Sequence, residues 1–146
     1  MDEIDRRILQ VLNKNARQSF REVAKEVGLS VTAVIHKIKK LEAAGAIKGY
    51  IPVLNPESFG YNLMAVIALR ISKGKLLETQ RLIAREPQVM AVYDITGEWD
   101  SLVIGHFRTR DDLNNFIKKV LSLRYVDRTV THLVLNVVKD EKRLPL

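Results

Sequence analysis

Apolar residues follow two different rhythms along this chain. Through the first 45 residues they recur every three or four positions, and from Leu63 onward they alternate with polar ones or run together in short blocks. Ile4, Ile8, Val11 and Leu12 make one helical stripe, with Leu9 at its edge. Ser19-Phe20-Arg21-Glu22 has the spacing of a capping box, and Phe20, Val23, Ala24 and Val27 behind it predict a short helix ended by Gly28. Ser30 suits the next N-cap; Val31, Val34, Ile35, Ile38 and Leu41 line a further helix that Gly45 closes.

Gly49, Pro52, Asn55, Pro56 and Gly60 punctuate residues 46–61, which predicts a linker containing a short extended piece, Tyr50 to Leu54. Beyond it the expected strands are Leu63–Ile71, Val89–Thr96, Leu102–Phe107 and Val130–Val138. A helix over about Lys75–Glu86 is stopped by Pro87, and a second carries Leu113, Phe116, Ile117, Val120 and Leu121, with Thr109 as cap and Asp112 at its third position. The order βαββαβ is that of a ferredoxin-like domain. The expected class is therefore α+β. A helix-turn-helix (winged-helix-like) domain at 1–49 is followed by a hinge at 50–61 and a βαββαβ domain at 62–146.

Two short helices joined by Gly28-Leu29-Ser30 fit a helix-turn-helix, although a plain helical hairpin would share that spacing. The polar side of the second helix separates the two readings. Ser30 opens it; Thr32, Ala33, His36 and Lys40 lie opposite the apolar stripe, with Lys37 and Lys39 on the flanks, and no carboxylate joins them. A helix that only solvates itself usually mixes signs, whereas one that faces phosphates should not. The N-terminal half, Thr32, Ala33 and His36, is placed for base edges, and Lys37, Lys39 and Lys40 for phosphates. Arg17 and Arg21, at the start of the preceding helix, are candidate backbone contacts.

Charge supports this reading without carrying it. The balance of 24 Lys and Arg against 17 Asp and Glu gives +7, which suits a polyanionic partner such as double-stranded DNA. The 47% hydrophobic content is enough for true cores. The absence of cysteine excludes disulfides and thiolate zinc sites. The acidic start, Met1-Asp2-Glu3-Ile4-Asp5, is unlike a secretory signal, and the longest apolar run, Leu63 to Ile71, contains Arg70 and is too short to cross a bilayer. The expectation is a cytoplasmic protein with no membrane partner.

Catalysis finds no support. His36, His106 and His132 fall in three separate elements without ligand spacing, no phosphate-cradling or dinucleotide loop is present, and Asp111-Asp112 reads as a helix start. No enzyme, metal or cofactor is expected. The strands say more. Leu63, Ala65, Ile67, Leu69 and Ile71 share one face, yet Met64, Val66 and Ala68 make the other face apolar as well. Leu133, Leu135 and Val137 against Val130, Val134 and Val138 repeat the pattern. Two helices cover only one side of such a sheet, so the other should stack on a second copy.

Asp5-Arg6-Arg7-Ile8-Leu9, Asn15-Ala16-Arg17, Val27-Gly28-Leu29-Ser30, Lys40-Leu41-Glu42 and Gly45-Ala46-Ile47-Lys48-Gly49-Tyr50 resemble the Lrp/AsnC (feast/famine, leucine-responsive) family of transcription regulators. The likeness continues through Leu54-Asn55-Pro56, Phe59-Gly60-Tyr61, Thr96-Gly97-Glu98-Trp99-Asp100 and Leu144-Pro145-Leu146, over essentially the whole chain. It implies a DNA reader, a hinge, and an α/β domain that forms homodimers, in some cases octamers, and often senses a small molecule such as an amino acid. Taken alone, Gly97-Glu98-Trp99-Asp100 reads as a hairpin turn. The resemblance implies instead that this loop lines an effector pocket, making Gly97, Glu98, Trp99 and Asp100 candidate contacts, with Thr129 and Thr131 on the last strand beside them. Relatives often begin the recognition helix Ser-Pro, where Val31 stands here, and often carry arginine in place of Lys37, so an operator sequence does not transfer. Two rivals stay open: a constitutive architectural DNA-binding protein whose β domain only oligomerises, and a ligand-binding module without DNA function.

Overall fold

The computed structural model describes residues 1–146 as two compact units. The first contains residues 1–53 together with 139–146, and the second residues 54–138. The expected second domain ran to the last residue; in the structure the final eight residues belong with the first unit.

The first unit is built from α1 (Glu3–Lys14), α2 (Phe20–Val27) and α3 (Val31–Ala43). Each starts on a side chain that satisfies an otherwise orphaned helix amide. Asp2 and Asp5 form a capping box on α1, Ser19 and Glu22 another on α2, and the Ser30 hydroxyl accepts from the Ala33 amide at 3.2 Å. Gly28 stops α2 at φ 73°, a left-handed geometry that costs glycine little. Ile8, Val11 and Leu12 of α1 pack with Val23, Ala24 and Val27 of α2 and Val34 and Ile38 of α3. Phe20 is the exception to the expected stripe. As the first residue of α2 it points away from this core and stays 45% exposed. The expected extended piece, Tyr50 to Leu54, forms no strand. At the other end of the unit, the side-chain amides of Gln10 and Asn13 donate to the carbonyls of Leu146 (3.2 Å) and Leu144 (2.8 Å).

The second unit opens with a 3-10 turn at Pro56–Phe59, then β1 (Leu63–Ile71), α4 (Leu76–Ile83), β2 (Val89–Asp94), β3 (Ser101–Phe107), α5 (Arg110–Leu121) and β4 (Val126–Leu133). The strands form one antiparallel sheet in the order β2-β3-β1-β4. This is the ferredoxin-like arrangement expected. Ala65, Ile67, Leu69 and Ile71 face a core closed by Ile83 of α4 and by Leu113, Phe116 and Val120 of α5. Gln80 donates to the Ser101 hydroxyl at 3.1 Å, which in turn donates to the Tyr93 carbonyl at 3.0 Å, so these buried polar groups are satisfied.

The last strand departs from expectation. Pairing of Ala65 to Ile71 with Leu133 to Val126 places β4 four residues earlier than Val130–Val138. Leu135 (94% exposed) and Val138 (91%) lie outside the sheet.

Candidate functional site

The buried stripe of α3 is Val34, Ile38 and Leu41, which turns Thr32, His36, Lys39 and Lys40 outward, with Ala33 half-buried and Ser30 exposed at the cap. The only carboxylate on this helix, Glu42, accepts from the Tyr50 hydroxyl at 3.1 Å. Arg17 and Arg21 are exposed around the start of α2. None of Arg17, Arg21, Lys39 and Lys40 enters an ion pair within the chain. Unpaired cations on a face without carboxylates remain available to an external polyanion.

Lys37 behaves otherwise. Its ammonium lies 2.7 Å from Asp2 Oδ2 and 2.8 Å from Asp5 Oδ1, the two carboxylates that cap α1. The cation expected beside phosphate therefore ties the start of α1 to the middle of α3. The bonds to Lys37 and the capping amides hold Asp2 and Asp5 below the usual carboxylate range, while the two carboxylates raise Lys37. Carboxylates depressed in the folded state add stability above their unfolded pKa, and that contribution is lost as pH falls through the folded values. Protection of α1 amides against hydrogen exchange should accordingly fall on acidification below about pH 4. In Lys37→Met it should be weaker at neutral pH and less dependent on acid. Unchanged protection in that variant would remove the tie.

The loop at 97–100 joins β2 to β3 beside the end of β1. Gly97 turns it at φ 107°. The Asp100 amide donates to the Leu69 carbonyl at 2.9 Å, and Asp100 Oδ2 accepts from the Ile71 amide at 2.8 Å, where the pairing of β1 with β4 slips between Arg70 and Ile71. One oxygen of the candidate effector carboxylate thus stabilises a bulge. Arg70 Nε donates to the Glu98 carbonyl at 2.9 Å, and the Arg128 guanidinium lies 5.2 Å from the centre of the Trp99 ring. Sequence reasoning passed over these two arginines. Their signal was a cation interrupting an apolar strand and a basic residue next to Thr129. The threonines are placed differently. Thr129 pairs with Leu69 and Thr131 with Ile67, which puts both on the helix-side face, and Thr131 is a further step along the strand from the loop. The structure gathers Trp99 and Asp100 with Arg70 and Arg128, not with Thr131.

His36, His106 and His132 sit on α3, β3 and β4, and no group of three or more metal-ligating side chains converges anywhere in the chain. No helix is long and apolar enough to cross a membrane.

Comparison with known proteins agrees with this geometry in both units. Residues 1–48 match the family described as winged helix-turn-helix DNA-binding, and residues 64–144 match the Lrp/AsnC ligand binding domain. An uncharacterized HTH-type transcriptional regulator of Pyrococcus abyssi is 45% identical over 144 residues, covering 99% of this chain and 98% of that protein. The HTH-type regulator FL11 of Pyrococcus furiosus is 35% identical over 146 residues, covering 100% and 97%. Among solved structures, a transcriptional regulator of Neisseria meningitidis in complex with L-Met superposes with a TM-score of 0.90 at 31% identity, covering 99% of this chain and 96% of that one. AsnC of E. coli gives a TM-score of 0.88 at 26% identity, with 97% and 96% covered. With a DNA-binding unit, a ligand-binding unit and end-to-end likeness to such regulators, the chain belongs to the Lrp/AsnC family of helix-turn-helix transcriptional regulators, which are not enzymes.

Proposed function

We propose that the chain reads a two-part operator in double-stranded DNA as a homodimer or larger assembly, and that an amino acid bound near the 97–100 loop changes assembly or DNA affinity. The observation that carries the first half is the face of α3, where Thr32, His36, Lys39 and Lys40 are exposed and no carboxylate opposes them. His36, toward the N-terminal half, meets a base edge, while Lys39, Lys40, Arg17 and Arg21 hold phosphates. Lys37, engaged with Asp2 and Asp5, is left out of the contact set.

His36→Ala should lose about 1–3 kcal/mol of discrimination between operator and random DNA. Lys40→Ala should weaken both DNAs alike and reduce the salt slope by about one. The measurement is a pair of binding titrations at several salt concentrations, on the intact chain. Equal losses on both DNAs from both variants would show that the roles are misassigned; no affinity for DNA at low salt would sink the reader altogether. A dimer should prefer half-sites roughly 34–36 Å apart, or a multiple of that.

The second half is supported by the relative solved with L-Met and by the ligand-binding family matched over residues 64–144. An architectural protein without an effector is the alternative, and ligand-induced thermal shifts separate the two.

A further inference from the structure

Arg70 of β1 and Arg128 of β4 are direct cross-strand partners. Like charges in that position destabilise a sheet. Yet neither guanidinium forms an ion pair with any carboxylate of the chain. Each is held by an uncharged group instead: Arg70 through Nε on the Glu98 carbonyl, and Arg128 over the Trp99 ring. These contacts use one edge nitrogen of Arg70 and one flat face of Arg128, and they leave the terminal nitrogens of both for another acceptor. The loop that positions them is itself pinned at Asp100 by bonds to Leu69 and Ile71. Two cations are thus fixed side by side with no counter-ion from their own chain.

We infer that Arg70 and Arg128 form a carboxylate clamp, which takes the α-carboxylate of an amino-acid ligand while the acidic side chains of Glu98 and Asp100 take its ammonium; this rests on the effector reading above. Planar guanidinium forks match a carboxylate bidentately, and an anion between them relieves the repulsion across the β1–β4 pair. Two positive and two negative side chains around one loop complement a zwitterion better than a simple anion or cation. Trp99 adds an apolar surface for the ligand side chain. The donors are therefore the two arginines rather than the hydroxyls of Thr129 and Thr131, which lie on the other face of the sheet.

The test uses the intact protein, the twenty L-amino acids and their carboxamides, read by thermal shift. At least one amino acid should raise the melting temperature, and its carboxamide, which has no anionic group, should bind about tenfold more weakly or not at all. Arg128→Gln and Arg70→Gln should each weaken the response about tenfold or more, and Arg128→Lys should restore part of it. In the absence of ligand Arg128→Gln should melt no lower than the unaltered protein, because it removes a repulsion; a merely structural arginine would melt lower. If no amino acid shifts the melting, the effector reading itself falls. If one does and its carboxamide matches it, or if both glutamine variants respond as the unaltered protein does, the clamp is wrong and the effector reading stands. Dissociation of unliganded Arg128→Gln into monomers would assign the pair to a subunit contact and overturn the clamp as well.

Discussion

Phe107→Ala is expected to cost the second unit about 3–5 kcal/mol, the range for removing a buried aromatic ring from a packed core. That is a large share of the roughly 5–15 kcal/mol that holds a whole domain together. Phe107 is 0% exposed, and its ring centroid lies 5.3 Å from that of Phe116, so the ring joins β3 to α5 at the centre of the core. Its position depends on a residue with no side chain. A Cβ at Gly105 would stand 2.8 Å from Phe107 Cε2 and 3.1 Å from the Gln88 carbonyl. Gly105→Ala should therefore also destabilise, by about 1–3 kcal/mol, because the ring or the neighbouring backbone must move. Urea unfolding is the measurement, and the midpoint should fall in both variants with the slope unchanged. A loss below about 1 kcal/mol in Phe107→Ala would mean that the β3–α5 contact is not central.

Most helices in this chain could be placed before any coordinates because their caps are local chemistry. Ser19 with Glu22, Ser30, and Thr109 with Asp112 each form the bond that their spacing predicts. β1 was equally readable, since nine residues with both faces apolar have few other uses. The last strand begins earlier than its apolar run suggests because the residues that follow its first, buried Val126, namely Asp127-Arg128-Thr129, are polar. On an edge strand those side chains reach solvent, and pairing with β1 decides the register. After Leu133 only Val134 still reaches β1, its amide donating to the Met64 carbonyl at 2.8 Å; Leu135, Val137 and Val138 imitate a strand but lie exposed beyond the sheet.

The candidate site was legible where it depends on one helix and obscure where it depends on tertiary pairing. The outward face of α3 follows from its own periodicity. Lys37 belongs to the same helix, but its partners Asp2 and Asp5 lie 35 and 32 residues away, and only the packing of α1 against α3 brings them together. The same holds for Arg70 and Arg128. Register alone makes them opposite, so no local pattern distinguishes them from two solvated surface cations.

Val66→Asp should dissociate the assembly, raising its Kd by about a thousandfold or more, some 4 kcal/mol at 1.4 kcal/mol per decade. The helices cover one side of the sheet, and Val66 stands on the other, on a central strand. Ile104 of β3 and His132 of β4 are its direct cross-strand neighbours. Met64, Ala68, Leu102 and Val130 share the face, which is apolar around Val66 and carries His106 and His132 beside them and the Arg70–Arg128 pair at one end. In one chain Val66 is only half-buried, so an aspartate there still reaches water and the single subunit should remain folded. Once a second sheet is stacked on that face, the same carboxylate is taken out of water, which costs several kcal/mol. Destabilisation should therefore appear in the association step and not in the fold. Sedimentation equilibrium on the intact chain, with circular dichroism to verify folding, makes the distinction. Leu77→Asp is the control, because Leu77 is 58% exposed on α4, an element of the helix layer. It should leave assembly unchanged. If unaltered protein sediments as a monomer at micromolar concentration, or if Leu77→Asp and Val66→Asp dissociate alike, the stacked sheet is not the subunit contact.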